Sequence, residues 1–467
     1  MGAKTVLFLA LFVLCSGGAL FVPLLGILGY VAHYIIGPER QWWTVPVRPW
    51  GIRYSFTLAL LTGIGVAIHW RKLRFGRRLL TGQEKLLLVF LALTWLLRSV
   101  SEETTFYTVV DHPAVKLAKV VLFCLMLTHV VTNLKELNAL LWVLVVCTFI
   151  LGLQAYDTPR SAFQSGRLES IGGVDFAESN FLPAFIVGVL PLMGVLFLRS
   201  GWGVRVFVLV AGAFAANAIM LTRSRGALVG IGLGGIMAVM FAPKGYRVKI
   251  MSGLIVASLG LFYLMDPGFK GRASTINAAE GERDVSAEGR LETWEASIAC
   301  LKDHPQGIGP GNFFQVIGRY NAKYIGRDAH NTFVRCFTEL GVLGLALFVG
   351  LIVHALWIVK RTMRKARDLP PDKRDRILYP TYGFGIGLCM MLGCGLTVTL
   401  LYTEALWWFL MVPVCLERAV ANMAVDAAAR PAAASSRMLT GMGESPGSRP
   451  RRRRPRAKVV PQGSVVP

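Results

Sequence analysis

Apolar residues fall in long continuous blocks separated by short polar connectors. The blocks lie near residues 54–70, 85–98, 114–131, 137–154, 180–198, 204–221, 226–242, 248–265, 331–359, 379–400 and 404–420, with a further stretch at 4–36. A membrane-spanning helix needs about 20 mostly apolar residues, whereas a transmembrane barrel shows short alternating segments. The pattern therefore predicts an all-α polytopic membrane protein of about twelve transmembrane helices. The 4–36 stretch is too long for a signal-peptide core and reads as a retained anchor. Gly17, Gly18 and Pro23 interrupt it, giving either one long kinked crossing or a tight pair.

Two connections are long, 155–179 and 266–330. The second has nearly balanced acids and bases and a helical-looking stretch from Glu292 to Leu301. It is the one hydrophilic segment large enough for a small inserted domain. The expected organisation is a helical bundle over 1–420, a large partly helical loop at 266–330 inserted in it, and a disordered tail over 421–467. Long ordered loops on a rigid scaffold are where function usually sits.

Composition agrees with this picture. Of 467 residues, 54% are hydrophobic and only 16% charged, against roughly 25% charged in soluble domains, and the mean hydropathy is +0.53. These values exclude a soluble globular enzyme, a disordered chain and a disulfide scaffold. The eight cysteines include no C-x-x-C pair and no cluster with metal-ligand spacing, so they read as small buried hydrophobes.

The net charge of +23 adds orientation. Cytoplasmic loops concentrate Lys and Arg. This assigns the connectors with Arg71, Lys72, Arg74, Arg77 and Arg78, and with Lys360, Arg361, Arg364, Lys365 and Arg367, to the cytoplasm. Counting crossings puts Lys135, Arg199, Arg205, Lys244 and Arg247 there too, and Glu102, Glu103 and Asp111 outside. A single crossing over 4–36 gives twelve helices with both termini cytoplasmic; a hairpin gives thirteen with the N-terminus outside. The run Arg451 to Lys458 then marks topology or meets anionic membrane lipids, and no nucleic-acid partner is expected.

Four groups on the outer side carry possible chemistry. Arg223 and Arg225 lie in a tight turn between two apolar helices, where the charge rule makes arginine scarce. Arginine near membrane depth is expensive and marks function or a partner; the alternative is snorkelling onto lipid phosphate. Arg290 opens a helix in the large loop and suits bidentate phosphate contact, or could pair with Glu292. Gly307, Gly309 and Gly311 could bring backbone amides to an anion, or simply form a turn. His330 enters an apolar helix and could take a proton, with Asp328 as an N-terminal cap of that helix. The combination suits a diphosphate leaving group neutralised by arginines in place of a metal, with a histidine deprotonating an acceptor hydroxyl. A transporter with an arginine-lined substrate site is the alternative class, but no internal repeat is evident.

The order Ser224-Arg225-Gly226-Ala227, Arg290 to Trp294, His304-Pro305 with Gly307-Ile308-Gly309-Pro310-Gly311-Asn312-Phe313, then Ala329-His330-Asn331-Thr332 and Glu339-Leu340-Gly341, closely resembles the O-antigen ligase and polymerase superfamily of bacterial inner-membrane glycosyltransferases. Asn180 and Pro191 resemble the family's Asn-containing helix start, without the usual preceding proline. The resemblance implies a GT-C-type, metal-independent, inverting transfer with a periplasmic site and no cofactor. It implies an undecaprenyl-diphosphate-linked glycan as donor and, for the ligase, lipid A–core oligosaccharide as acceptor. Arg225 and Arg290 match the family's diphosphate-binding arginines and His330 its proposed base, while Arg223 is added on the charge argument. A polymerase or a protein O-oligosaccharyltransferase would share this logic.

Overall fold

The computed structural model describes residues 2–73, 76, 78–101, 107–243, 245–265, 269–270 and 285–441. Arg74, Arg77, Glu102, Glu103, Lys244 and the Arg451–Lys458 run lie outside these residues. Among the described residues no strand forms. The α-helices are α1 (Ala3–Gly18), α2 (Pro23–Ile36), α3 (Tyr54–Ile68), α4 (Gly82–Val100), α5 (Pro113–Val130), α6 (Leu134–Asp157), α7 (Phe181–Arg199) and α8 (Trp202–Thr222). They continue with α9 (Arg225–Met240), α10 (Arg247–Leu264), α11 (Val285–Asp303), α12 (Phe313–Tyr320), α13 (Thr332–Arg367), α14 (Pro371–Gly395) and α15 (Glu404–Gly441).

The fold is that of an all-helical polytopic membrane protein. Among the described residues eight helices are long and apolar enough to cross a membrane, or nine if the bent pair Trp42–Trp50 and α3 is one span. The expected count of about twelve is not reached on these criteria. The helices α1, α2, α3 and α9 have only 16, 14, 15 and 16 residues, and α4 carries Glu84, Lys85 and Arg98.

The 4–36 stretch is a hairpin rather than one kinked crossing. Thr5 Oγ1 donates to the Trp43 carbonyl at 2.5 Å, Lys4 lies over the Trp42 ring, and Phe8 meets His33. Gly29 lies so close to Cys15 that a Cβ there would fall 2.6 Å from its Cβ. Small residues let helix backbones approach where lipid supplies no hydrophobic drive. The start of α1 therefore sits beside the end of α2, which the Gly173 amide joins by donating to the Ile35 carbonyl.

The same physics centres α14 in the bundle, between α7 and α9 and against α13. Gly387 abuts the Gly188 carbonyl of α7, and Gly393 lies against Gly230 of α9. At one end, α4, α5 and α15 are tied by a buried ion pair. Arg418 donates to both Glu84 oxygens at 3.0 and 2.9 Å and to the Thr128 carbonyl at 2.7 Å. Breaking such a pair from one side costs about 3–5 kcal/mol.

The other end, the site face, collects the C-termini of α6, α8 and α14 and the N-termini of α7, α9, α13 and α15. Leu168, beyond α6, donates to the Leu221 carbonyl of α8, and Thr332 Oγ1 donates to the Val398 carbonyl. Here α11 and α12 form a small core of Ala296, Phe313 and Ile317 with Ala329 and Val334. Residues 266–268 and 271–284 of this long connection lie outside the described residues.

Two compact units divide the chain, Met1–Asn422 and Met423–Pro467. The described part of the second, residues 423–441, is helical.

Candidate active site

The turn between α8 and α9 is short because each position has one task. Arg223 takes a left-handed conformation (φ 48°) that ends α8, Ser224 is the N-cap, and Arg225 is the first, buried residue of α9. Gly226 must lack a side chain, since a Cβ would fall 2.2 Å from Thr397 Oγ1. The partial positive charge of the α9 N-terminus adds to that of Arg225. The long connection before α7 is clipped onto this turn by Arg167, whose Nε donates to the Thr222 carbonyl and whose Nη2 donates to Asn180 Oδ1, both at 2.9 Å. Ser224 Oγ donates to the same Asn180 oxygen at 3.1 Å.

Arg290 comes from the first turns of α11. Trp294 anchors that helix, its Nε1 donating to the Ala329 carbonyl at 2.9 Å. Glu292, the possible partner for Arg290, accepts from Tyr324 Oη at 2.6 Å and pairs with Lys323.

His330 also has left-handed backbone (φ 47°). The cap of α13 is Asn331, whose Oδ1 accepts from the Phe333 and Val334 amides at 2.9 and 3.2 Å. Asp328 is therefore not the cap expected from sequence. Its Oδ2 accepts from the His330 amide at 3.1 Å and lies 3.7 Å from His330 Nδ1, while its Oδ1 accepts from Arg335 Nη1 at 2.6 Å. Burial lowers the imidazole pKa below the usual histidine value, and Arg290, Arg167 and Arg327 push the same way against Asp328. The shift favours the neutral imidazole, the form that can accept a proton. Burial raises the Asp328 carboxyl, but Arg335 and His330 more than offset it and hold it below its ordinary range.

These segments enclose a cavity of about 230 Å³. Arg223, Arg225, Arg290 and His330, the four residues singled out in the sequence, all line it. So do Arg167, Glu169 and Glu178 of the 155–179 connection, which no sequence argument singled out. The lining is therefore four arginines against two carboxylates rather than cationic alone. Burial raises the Glu178 carboxyl, as do Asp328 and Glu169, with Arg167 opposing. The sequence held no distinguishing signal for these three, since charged residues are ordinary in a long polar connector.

The glycine-rich turn does not face the cavity. It fills a break in α13, where Gly341 (φ 68°) interrupts the helix. The Ile308 and Gly309 amides donate to the Thr338 and Glu339 carbonyls, and the Val342 amide donates to the Pro305 carbonyl. Gly307 and Gly341 are pressed against each other's segments, so a Cβ on either would fall 2.4–2.5 Å from the facing backbone. The amides at 308 and 309 thus satisfy carbonyls freed by the kink, and the turn is a splint for the helix that carries His330. Among the described residues no group of three or more His, Cys, Asp or Glu is placed to hold a metal ion.

Fold and site together define a multi-span helical membrane protein with a pocket lined by four arginines and a histidine at one end of its bundle. Residues 207–349 match the family model described as O-antigen ligase, so this segment, which holds the turn between α8 and α9 and the start of α13, is similar to that family of glycosyltransferase-like enzymes. No curated protein matches the chain. The matched segment contains Arg223, Arg225, Arg290 and His330; Arg167 and Asn180 lie outside it.

Proposed function

We propose that the protein is an O-antigen ligase. It transfers a glycan from undecaprenyl diphosphate to a hydroxyl of lipid A–core oligosaccharide, with inversion and without a metal, in lipopolysaccharide biosynthesis. The observation carrying this reading is the convergence of Arg223, Arg225, Arg290 and His330, from three separate segments, on one cavity.

In this reading Arg225 and Arg290, with Arg223, hold the donor diphosphate. Their planar forks match phosphate oxygens bidentately. Negative charge grows on the leaving oxygen as the anomeric C–O bond breaks, and cations fixed in advance favour that transition state. The acceptor oxygen attacks the anomeric carbon from the opposite face, and its proton passes to His330. One such base contributes about 10²–10⁴-fold, so electrostatics and positioning supply most of the rest. The carrier's prenyl chain stays in the bilayer, and the diphosphate meets the site face from the membrane side.

The site face is then periplasmic in a bacterial inner membrane, and the connectors with Arg71 and Lys72 and with Lys360 to Arg367 are cytoplasmic. With the 4–36 hairpin, the crossings number thirteen, and the N-terminus is periplasmic. The 266–330 insertion supplies Arg290, and the 421–467 tail stands outside the catalytic machinery.

Gene disruption tests the acceptor. The expected result is lipopolysaccharide without its polymer cap, with lipid-linked polymer intact. Single-repeat capping would indicate a polymerase, and loss of protein glycans with normal lipopolysaccharide a protein O-oligosaccharyltransferase. Either would overturn the ligase reading.

A further inference from the structure

His330 lines a pocket in which four arginines, Arg167, Arg223, Arg225 and Arg290, outnumber two carboxylates, Glu169 and Glu178, so it is a poor place to form an imidazolium. Arg290 and Arg167 line that pocket with it, and Arg290, Arg167 and Arg327 all act against a second positive charge on the ring. Asp328 acts the other way. Its carboxylate is two residues upstream on the same loop and lies 3.7 Å from Nδ1. It also accepts from the His330 amide, which fixes the left-handed backbone that aims the ring. Such backbone costs a non-glycine residue about 1–3 kcal/mol and persists only where surrounding structure determines it.

Asp328 is itself held from behind. Arg335 donates to it at 2.6 Å and to Glu339 Oε1 at 2.6 Å, and Glu339 Oε2 accepts from Tyr402 Oη at 2.7 Å. The Arg335 guanidinium also stacks 4.4 Å from the Phe314 ring centre. This assembly is buried, since Arg335 is 3% and Glu339 0% exposed. Helix capping does not explain Asp328, because Asn331 performs it.

We propose that Asp328 is the positioning residue of the proton acceptor, turning Nδ1 of His330 toward its carboxylate so that Nε2 faces the pocket, and that Arg335 fixes Asp328 in that role. The inference rests on the reading of His330 as the base. In the step itself, the acceptor oxygen forms its bond to the anomeric carbon as the bond to the diphosphate oxygen breaks. The electron pair of the broken bond leaves on the diphosphate. The hydroxyl proton moves to Nε2, and the resulting imidazolium shares its Nδ1–H with Asp328. A carboxylate that orients a histidine and stabilises its charged form is used in the same manner by the serine-protease triad.

Asp328→Asn is nearly isosteric and removes the charge. It is expected to lower kcat roughly tenfold or more while leaving the KM for lipid-linked donor near wild type. The pH profile separates this role from a structural one. Asp328 raises the histidine pKa, so its loss lowers that pKa further, and the fall of activity on acidification begins at lower pH than in wild type. An acid limb at the wild-type position, whatever the loss in kcat, would overturn the proposal. Should Asp328→Asn fail to reach the membrane, Asp328→Glu serves instead. It keeps the charge but displaces it, so a wild-type acid limb with reduced kcat is expected, and wild-type kcat would contradict the role. His330→Ala, measured in parallel, keeps the two readings apart. Transfer by that variant overturns the base itself, whereas an inactive His330→Ala with a wild-type Asp328→Asn overturns only the positioning.

Discussion

Arg225 is 8% exposed at the first position of α9 and lines the cavity, which argues against a side chain snorkelling outward to lipid phosphate. That placement favours a ligand-holding role, and the chemistry required is a planar fork rather than a point charge. Arg225→Lys is therefore expected to cut transfer at least tenfold with normal membrane insertion; a variant as active as wild type would remove Arg225 from the diphosphate site. Arg223 and Arg225 were legible because the charge rule makes arginine scarce in the connector it assigns outside, Arg290 because a planar fork in the long loop suits phosphate, and His330 because a histidine entering an apolar helix could take a proton. Arg167, Glu169 and Glu178 were not, since a polar residue in a long polar connector breaks no local rule. Asp328 was misread for a related reason. Local rules allow Asp or Asn to cap a helix, and only the folded chain decides between Asp328 and Asn331. Asn331 wins because its side chain reaches the second and third amides of α13, which leaves Asp328 for Arg335 and His330.

At the scale of elements, the apolar blocks predicted helices and connectors well, but block length did not separate one crossing from two. The 4–36 stretch holds a pair of helices of 16 and 14 residues. Lys4, beside Trp42, therefore lies on the face that carries the pocket. A reporter fused at the N-terminus is expected to read out on the same side of the membrane as one in the 155–179 connection, and opposite to one fused after Gly441. An N-terminal reporter on the side of the C-terminal one would contradict the hairpin. The glycine-rich turn offered amides for an anion, and its real partner, the kink of α13 at Gly341, lies thirty-odd residues downstream. No spacing rule connects the two, because the link is a set of tertiary hydrogen bonds to carbonyls that exist only once the helix has broken.

For the whole molecule, the charge of +23 divides into two roles. Most of it lies in connectors and the terminal run, which the positive-inside rule expects to be cytoplasmic. A small part, Arg167, Arg223, Arg225 and Arg290, gathers with His330 around a cavity of about 230 Å³. The central claim is that this pocket transfers a glycan using fixed arginines and a histidine base. Purified protein reconstituted with undecaprenyl-diphosphate-linked glycan and lipid A–core acceptor, in EDTA, tests it most directly. Wild-type protein should form the covalent product, and His330→Ala and Arg290→Ala should form none at equal levels of folded protein. Wild-type transfer by either variant, a strict need for added divalent metal, or movement of lipid-linked glycan with no covalent product would contradict the account.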